Sequence, residues 1–110
     1  MAKGYIIGLI KITDREQFIE TFAKKIGSFL ESNGGKIITR TSKTLAHEGH
    51  SHDLNVIVEF EDYEQAKKMI GTTEWKELQM NRRKHSDPNA GSFMLLEEGD
   101  EVQASLASRG

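Results

Sequence analysis

Two groups of side chains in this 110-residue sequence have types and spacing that could do chemistry. Glu59 falls in a run from Leu54 to Phe60 that alternates cleanly. Leu54, Val56, Val58 and Phe60 share one face, and Asn55, Ile57 and Glu59 share the other. A carboxylate beside Ile57 on an otherwise apolar sheet face is costly unless it is paired or wet. Arg40, on the neighbouring second strand, could pair with it. Held this way, Glu59 would have a tunable protonation state and could act as a general base, while Arg40 bound an anionic substrate. The second group is His47-Glu48-Gly49-His50-Ser51-His52-Asp53. Imidazoles suit zinc, nickel or copper, so His47, His50 and His52 could form a divalent-metal site, with His85 or Asp87 approaching in three dimensions. The plainer reading is three solvated loop histidines. A basic run, Asn81-Arg82-Arg83-Lys84-His85, closes an expected helix, where cations complement the negative end of the helix dipole.

These residues have to be placed by secondary structure, and the chain spells that out in sequence patterns. Tyr5 to Ile12 is isoleucine-rich and apolar on both faces, which predicts a central strand, with Ile6, Ile10 and Ile12 on one side and Tyr5, Ile7 and Leu9 on the other. Thr13 or Asp14 can cap a helix to about Ser32 that buries Phe18, Phe22, Ile26, Phe29 and Leu30. Asn33-Gly34-Gly35 stops it, because glycine accepts the left-handed conformation that ends helices. Lys36 to Thr41 reads as a second strand, 42–53 as a polar loop and Leu54 to Phe60 as a third strand. Asp62 starts a second helix, with Gln65 as its reciprocal capping partner. Gly71 interrupts that helix, and Thr72 or Thr73 restarts it with Trp75, Leu78 and Arg82 at i, i+3 and i+7. After a loop carrying Pro88, Asn89 and Gly91, Ser92 to Glu97 forms the fourth strand. The order is βαββαβ, an α+β ferredoxin-like antiparallel sheet with its helices on one face. Residues 1–99 form the domain. Residues 100–110 are a polar tail whose Val102 and Leu106, four apart, predict a short helix lying on a neighbouring subunit.

Composition excludes several functions. The sequence has no cysteine, which removes disulfides, thiolate metal sites and a cysteine nucleophile. Its 15 Lys+Arg against 17 Asp+Glu leave a net charge of −2, and the cations are scattered, so no nucleic-acid surface is expected. The apolar run before Lys11 is too short to span a bilayer and lacks a cleavage signature, so a cytoplasmic location with no membrane partner is expected. Gly34-Gly35 closes a helix rather than opening one, so no phosphate loop is present. No cofactor is demanded by the sequence.

With both helices on one face, the other face of the sheet is bare, and β-strand alternation makes it partly apolar. Such a surface favours a homodimer joined through the sheet faces. The residues that carry a family likeness run in order through the chain: Lys3-Gly4-Tyr5, Asp14, Gly34-Gly35-Lys36-Ile37-Ile38-Thr39-Arg40, Glu48-Gly49, Glu59-Phe60, Trp75 seven residues before Arg82, and Glu98-Gly99. Over residues 3 to 99 the sequence resembles the uncharacterised family known as domain of unknown function thirteen-thirty, of the dimeric α/β-barrel superfamily. The resemblance implies a homodimer and a polar pocket onto which Arg40, Glu59 and Arg82 would map. Trp75 joins this ligand-binding group. The chain differs from the family pattern in its histidine loop and in having tryptophan at position 75. The function this favours is binding of a small polar or anionic metabolite, with a cofactor-independent enzyme as its catalytic form. The alternatives are a divalent-metal-binding protein or a structural dimer without catalysis.

Overall fold

The computed structural model describes residues 1–109. Its first strand, β1 (Gly4–Ile10), alternates strictly between buried and half-buried residues, so it is central and covered on one side. β1 pairs antiparallel with β3 (Leu54–Phe60) on one edge and β4 (Ser92–Glu97) on the other. β2 (Gly35–Thr41) pairs antiparallel with β3, giving the sheet order β2-β3-β1-β4. Four antiparallel strands with both helical segments on one face make this an α+β ferredoxin-like fold.

The first helical segment has three parts: α1 (Arg15–Phe18), a π-helical turn (Ile19–Ala23) and α2 (Lys24–Ser32). Asp14 caps it, accepting from the Gln17 N–H at 3.2 Å. In the π-turn the Lys24 N–H reaches back to the Ile19 carbonyl. The Thr21 carbonyl, which the wider turn leaves accessible, accepts from Asn81 Nδ2 at 3.3 Å. This segment carries Phe18, Phe22, Ile26, Phe29 and Leu30 into the core, as the spacing predicts. Asn33 then bonds back to the Phe29 carbonyl, and Gly34 takes φ +86°, the left-handed value a side chain resists. Gln65 does not close the reciprocal cap expected of it. Its amide lies where a Cβ on Gly34 would stand, so it packs over the helix end while Asp62 alone caps α3 (Tyr63–Ile70). Gly71 ends α3, and Thr72 caps α4 (Thr73–Lys84) through the Trp75 N–H at 3.2 Å.

The core lies between sheet and helices. Phe18, Phe60, Ile6, Met69 and Val58 are fully enclosed. Burying side chains of this size is worth about 1.5–3 kcal/mol each, which makes this layer the main source of stability. The loops at the far end of β1 are tied by Asp53: it accepts from the Ile12 N–H at 2.8 Å and lies 3.7 Å from Lys11 Nζ. The tail forms a helix, α5 (Glu101–Arg109), with Val102 and Leu106 exposed. The described chain is 54 Å long with a radius of gyration of 15.5 Å, larger than the ~13 Å of a compact domain of about this length, because α5 projects from the body.

Candidate functional site

An apolar cavity lies between the sheet and the first helical segment. Ile6 and Ile10 of β1, Val58 of β3, and Phe22 and Ile26 of the helix form its walls. Its free interior is about 20 Å3, room for roughly one water. Arg40 stands at one end and the Trp75–Phe93 pair, with rings 5.8 Å apart, at the other. The Phe93 ring fits because its register partner is Gly8, where any Cβ would stand 3.2 Å from that ring.

The structure separates Arg40 and Glu59, the two residues expected to pair across neighbouring strands. Arg40 faces the helices and is aligned with Val56, whereas Glu59 faces the open side and is aligned with Lys36 and Tyr5. The cause is a β-bulge. Ile37 pairs with Val58 and Thr39 with Ile57, so Ile38 is an extra residue in β2 that reverses the facing of everything after it. The expected Arg40–Glu59 ion pair therefore does not form. Glu59 instead lies 3.5 Å from Lys3 Nζ, and Glu61 lies 3.9 Å from the same nitrogen. The carboxylates of Glu59 and then Glu61 raise the Lys3 pKa above its ordinary value of 10.5. Arg40 extends toward α2, where Gly27 leaves space: a Cβ there would come 3.8 Å from Arg40 Nη1.

Trp75 is a wall residue, 9% exposed, with Phe29 6.4 Å away on its other side. Two turns further along α4, the Arg82 guanidinium carbon lies over the Phe93 ring, 4.6 Å from its centre, a cation–π contact. Its Nε donates to Gln79 Oε1 at 2.6 Å. Among the described residues no carboxylate comes within ion-pair distance of Arg82. Burial, and then the neighbouring Arg83, lower its pKa from the ordinary arginine value, although arginine keeps its charge at any working pH. Sequence reasoning missed Gln79, a helix-surface residue by type but 4% exposed here. The available signal was its position four residues after Trp75 and three before Arg82, on the same helix face.

The histidines stay apart. His52 Nε2 donates to the Ala90 carbonyl at 2.8 Å, while His47 and His50 are exposed. Among the described residues no three His, Asp or Glu side chains gather to hold a metal ion. His85 closes α4, and its carbonyl accepts from the Thr13 and Asp14 N–H groups, so this residue is part of the frame. No described helix is long and apolar enough to cross a membrane.

The open face of the sheet can be read row by row. Lys36, Glu59, Tyr5 and Leu96 form the first row, Thr39, Ile57, Ile7 and Met94 the second, and Thr41, Asn55, Leu9 and Ser92 the third. The centre and the β4 side are apolar, with Ile57, Met94 and Leu96 exposed at 37%, 39% and 44%.

Comparison with solved structures finds the same fold in proteins of low identity. A protein of unknown function from Rhodopseudomonas palustris is 15% identical, with a TM-score of 0.69 over 90% of this chain and 84% of that one. SnoaB, a cofactor-independent oxygenase from Streptomyces nogalater, is 11% identical, with a TM-score of 0.60 over 93% and 98% of the two chains. An ethyl tert-butyl ether d (ethd) family protein from Bacillus halodurans is 19% identical, with a TM-score of 0.58 over 90% and 100%. Among curated proteins none matches the chain significantly. The family model of a domain of unknown function (DUF1330) matches residues 3–97, the whole span from the strand that lines the cavity to the strand that carries Phe93, and the chain belongs to that family.

Proposed function

We propose that this protein is a homodimer, joined through the open sheet faces, that binds a small polar or anionic molecule between sheet and helices. The observation that carries the reading is an apolar cavity whose lining residue Phe93 carries on its ring a half-buried arginine, Arg82, that has no acid partner among the described residues. Convergence of an apolar enclosure with a few fixed polar groups is the usual form of a small-ligand site. The free cavity is smaller than such a ligand, so binding requires the helical segment to move outward from the sheet. The π-turn, whose Phe22 and Ala23 line the cavity, is the natural place for that movement.

Binding, rather than acid–base turnover, is the activity supported. Arg40 is the one ionisable residue lining the cavity, and Glu59, the carboxylate suited to a base, lies on the opposite face of the sheet. The likeness to a cofactor-independent oxygenase is a likeness of fold alone. The dimer is supported by the apolar rows of the open face, which the chain's own helices leave uncovered. Native mass spectrometry of untagged protein, purified without added metal, tests both halves. A dimer with a discrete extra organic mass is the expected result. A bare monomer at micromolar concentration would overturn the assembly and remove the support for a closed pocket.

A further inference from the structure

Behind Phe93, a lining residue of the cavity, the Gln79–Arg82 pair has a directional imbalance in its hydrogen bonding. Arg82 can only donate, so the Gln79 atom facing its Nε at 2.6 Å has to be the carbonyl oxygen, Oε1. The amide nitrogen Nε2 is thereby assigned, and it is the buried side-chain atom left without a partner among the described residues. Gln79 is 4% exposed, so bulk water does not satisfy that nitrogen freely. The Arg82 Nη groups have no protein acceptor among the described residues, and one face of the guanidinium is occupied by Phe93. The pair's one acceptor atom, Oε1, is engaged internally. Its unpartnered atoms, Gln79 Nε2 and the Arg82 Nη groups, are all donors, and the pair carries one net positive charge.

We infer that Gln79 and Arg82 together recognise a carboxylate, and that the ligand is a monocarboxylic acid whose apolar body enters the cavity beside Phe93 and Trp75. This rests on the pocket reading above and names its ligand class. The Nη edge of a guanidinium matches the two oxygens of a carboxylate, and Nε2 supplies a further N–H next to it. A monoanion balances the single charge, whereas a phosphate dianion would leave negative charge uncompensated against an apolar wall. Gln79 has two jobs. It fixes the guanidinium through Nε, and it donates to the ligand through Nε2.

The test uses phenylacetate and its neutral isostere phenylacetamide as probes, titrated into the full-length protein and followed by NMR of backbone and side-chain N–H signals. Phenylacetate should bind at least tenfold more tightly than phenylacetamide, and it should shift the Gln79 side-chain NH2 pair and the Arg82 Nε–H. Gln79→Glu, which gives Arg82 an internal counter-charge, and Arg82→Met should each weaken phenylacetate at least tenfold and leave phenylacetamide within about twofold. Arg83→Ala should change neither. Should one of these variants fail to fold, the wild-type comparison of the two probes decides alone. Equal affinity for acid and amide in the wild-type protein, with shifts at Phe93 and Trp75, would overturn the carboxylate assignment while keeping the pocket. Absence of any shift around the cavity with both probes would overturn the pocket as well.

Discussion

Ile57 occupies the middle row of the open sheet face, flanked in register by Thr39 and Ile7, with Met94 beyond. It is 37% exposed, so more than a third of its transfer free energy is still available on association. Full burial of an isoleucine is worth about 1.5–3 kcal/mol, which leaves roughly 0.6–1.1 kcal/mol for the interface. A two-fold interface uses each residue twice, so Ile57→Lys forfeits about 1.2–2.2 kcal/mol of contact. It also sets two ammonium groups into an apolar row, with only Glu59 two residues away to balance each. Even after the lysine stems cover some apolar surface, the total should pass about 3 kcal/mol, a dimer weakened more than 100-fold. Sedimentation velocity across a concentration series would read this directly. Leu45→Lys, the same kind of change in the exposed loop, serves as the control and should leave the dimer intact. If Ile57→Lys sediments like the wild type at every concentration, the open face is not the interface.

Other perturbations address the frame. Replacing Asn81 with alanine strips the acceptor at Thr21 of its partner in the π-turn, and the loss should be about 1 kcal/mol, or a melting temperature roughly 4–8 °C lower at fixed protein concentration. In Gly91→Ala the new Cβ meets the Leu9 carbonyl, which is backbone and cannot yield. Chemical denaturation should show a loss of about 1–3 kcal/mol, and full stability would contradict the close approach. Because Lys3 is held above its ordinary 10.5 by the charged carboxylates of Glu59 and Glu61, its ion pairs stabilise the fold from neutrality up to that value and fade as pH rises through the raised value. Melting curves of the wild type and Lys3→Met should therefore differ near neutrality and converge in strong alkali, with Glu59→Gln behaving similarly and leaving ligand affinity unchanged. Zinc or nickel titration tests the histidine loop: the melting temperature should stay constant, and a rise abolished by His50→Ala with His52→Ala would establish a metal site there.

Most of the fold could be read from local chemistry. Asp14, Asp62 and Thr72 have cap-forming side chains directly before helical periodicity, and each caps in the structure. The alternation in Leu54–Phe60 and the two-sided apolar character of β1 gave the correct facing, because both strands are regular. The site was harder to read. Strand alternation carries no mark of an extra residue, so Ile38 turned Arg40 away from Glu59 with no visible change in composition. Gln79 was missed for another reason. Its burial is decided by the packing of α4 against the first helical segment, and in a run of polar helix formers its place on the Trp75–Arg82 face was the single hint. Trp75 and Arg82 were found, but their partner Phe93 lies eleven residues beyond Arg82 on the edge strand.

The π-turn has an implication for how this chain can change length. A π-turn contains one more residue than the α-helical path it replaces, so Ile19–Ala23 amounts to an insertion absorbed without a loop. Each residue advances an α-helix by about 100°, so in a regular helix Phe18 and Ile26 would point about 80° apart, and the wider turn takes up the surplus residue and lets both face the core. Deleting one residue between 19 and 23 would therefore give a regular helix in which α1 and α2 keep their facing, and what is lost is the widened turn beside the cavity. One-residue length differences among homologues should accordingly be tolerated at this turn as well as in the 42–53 loop.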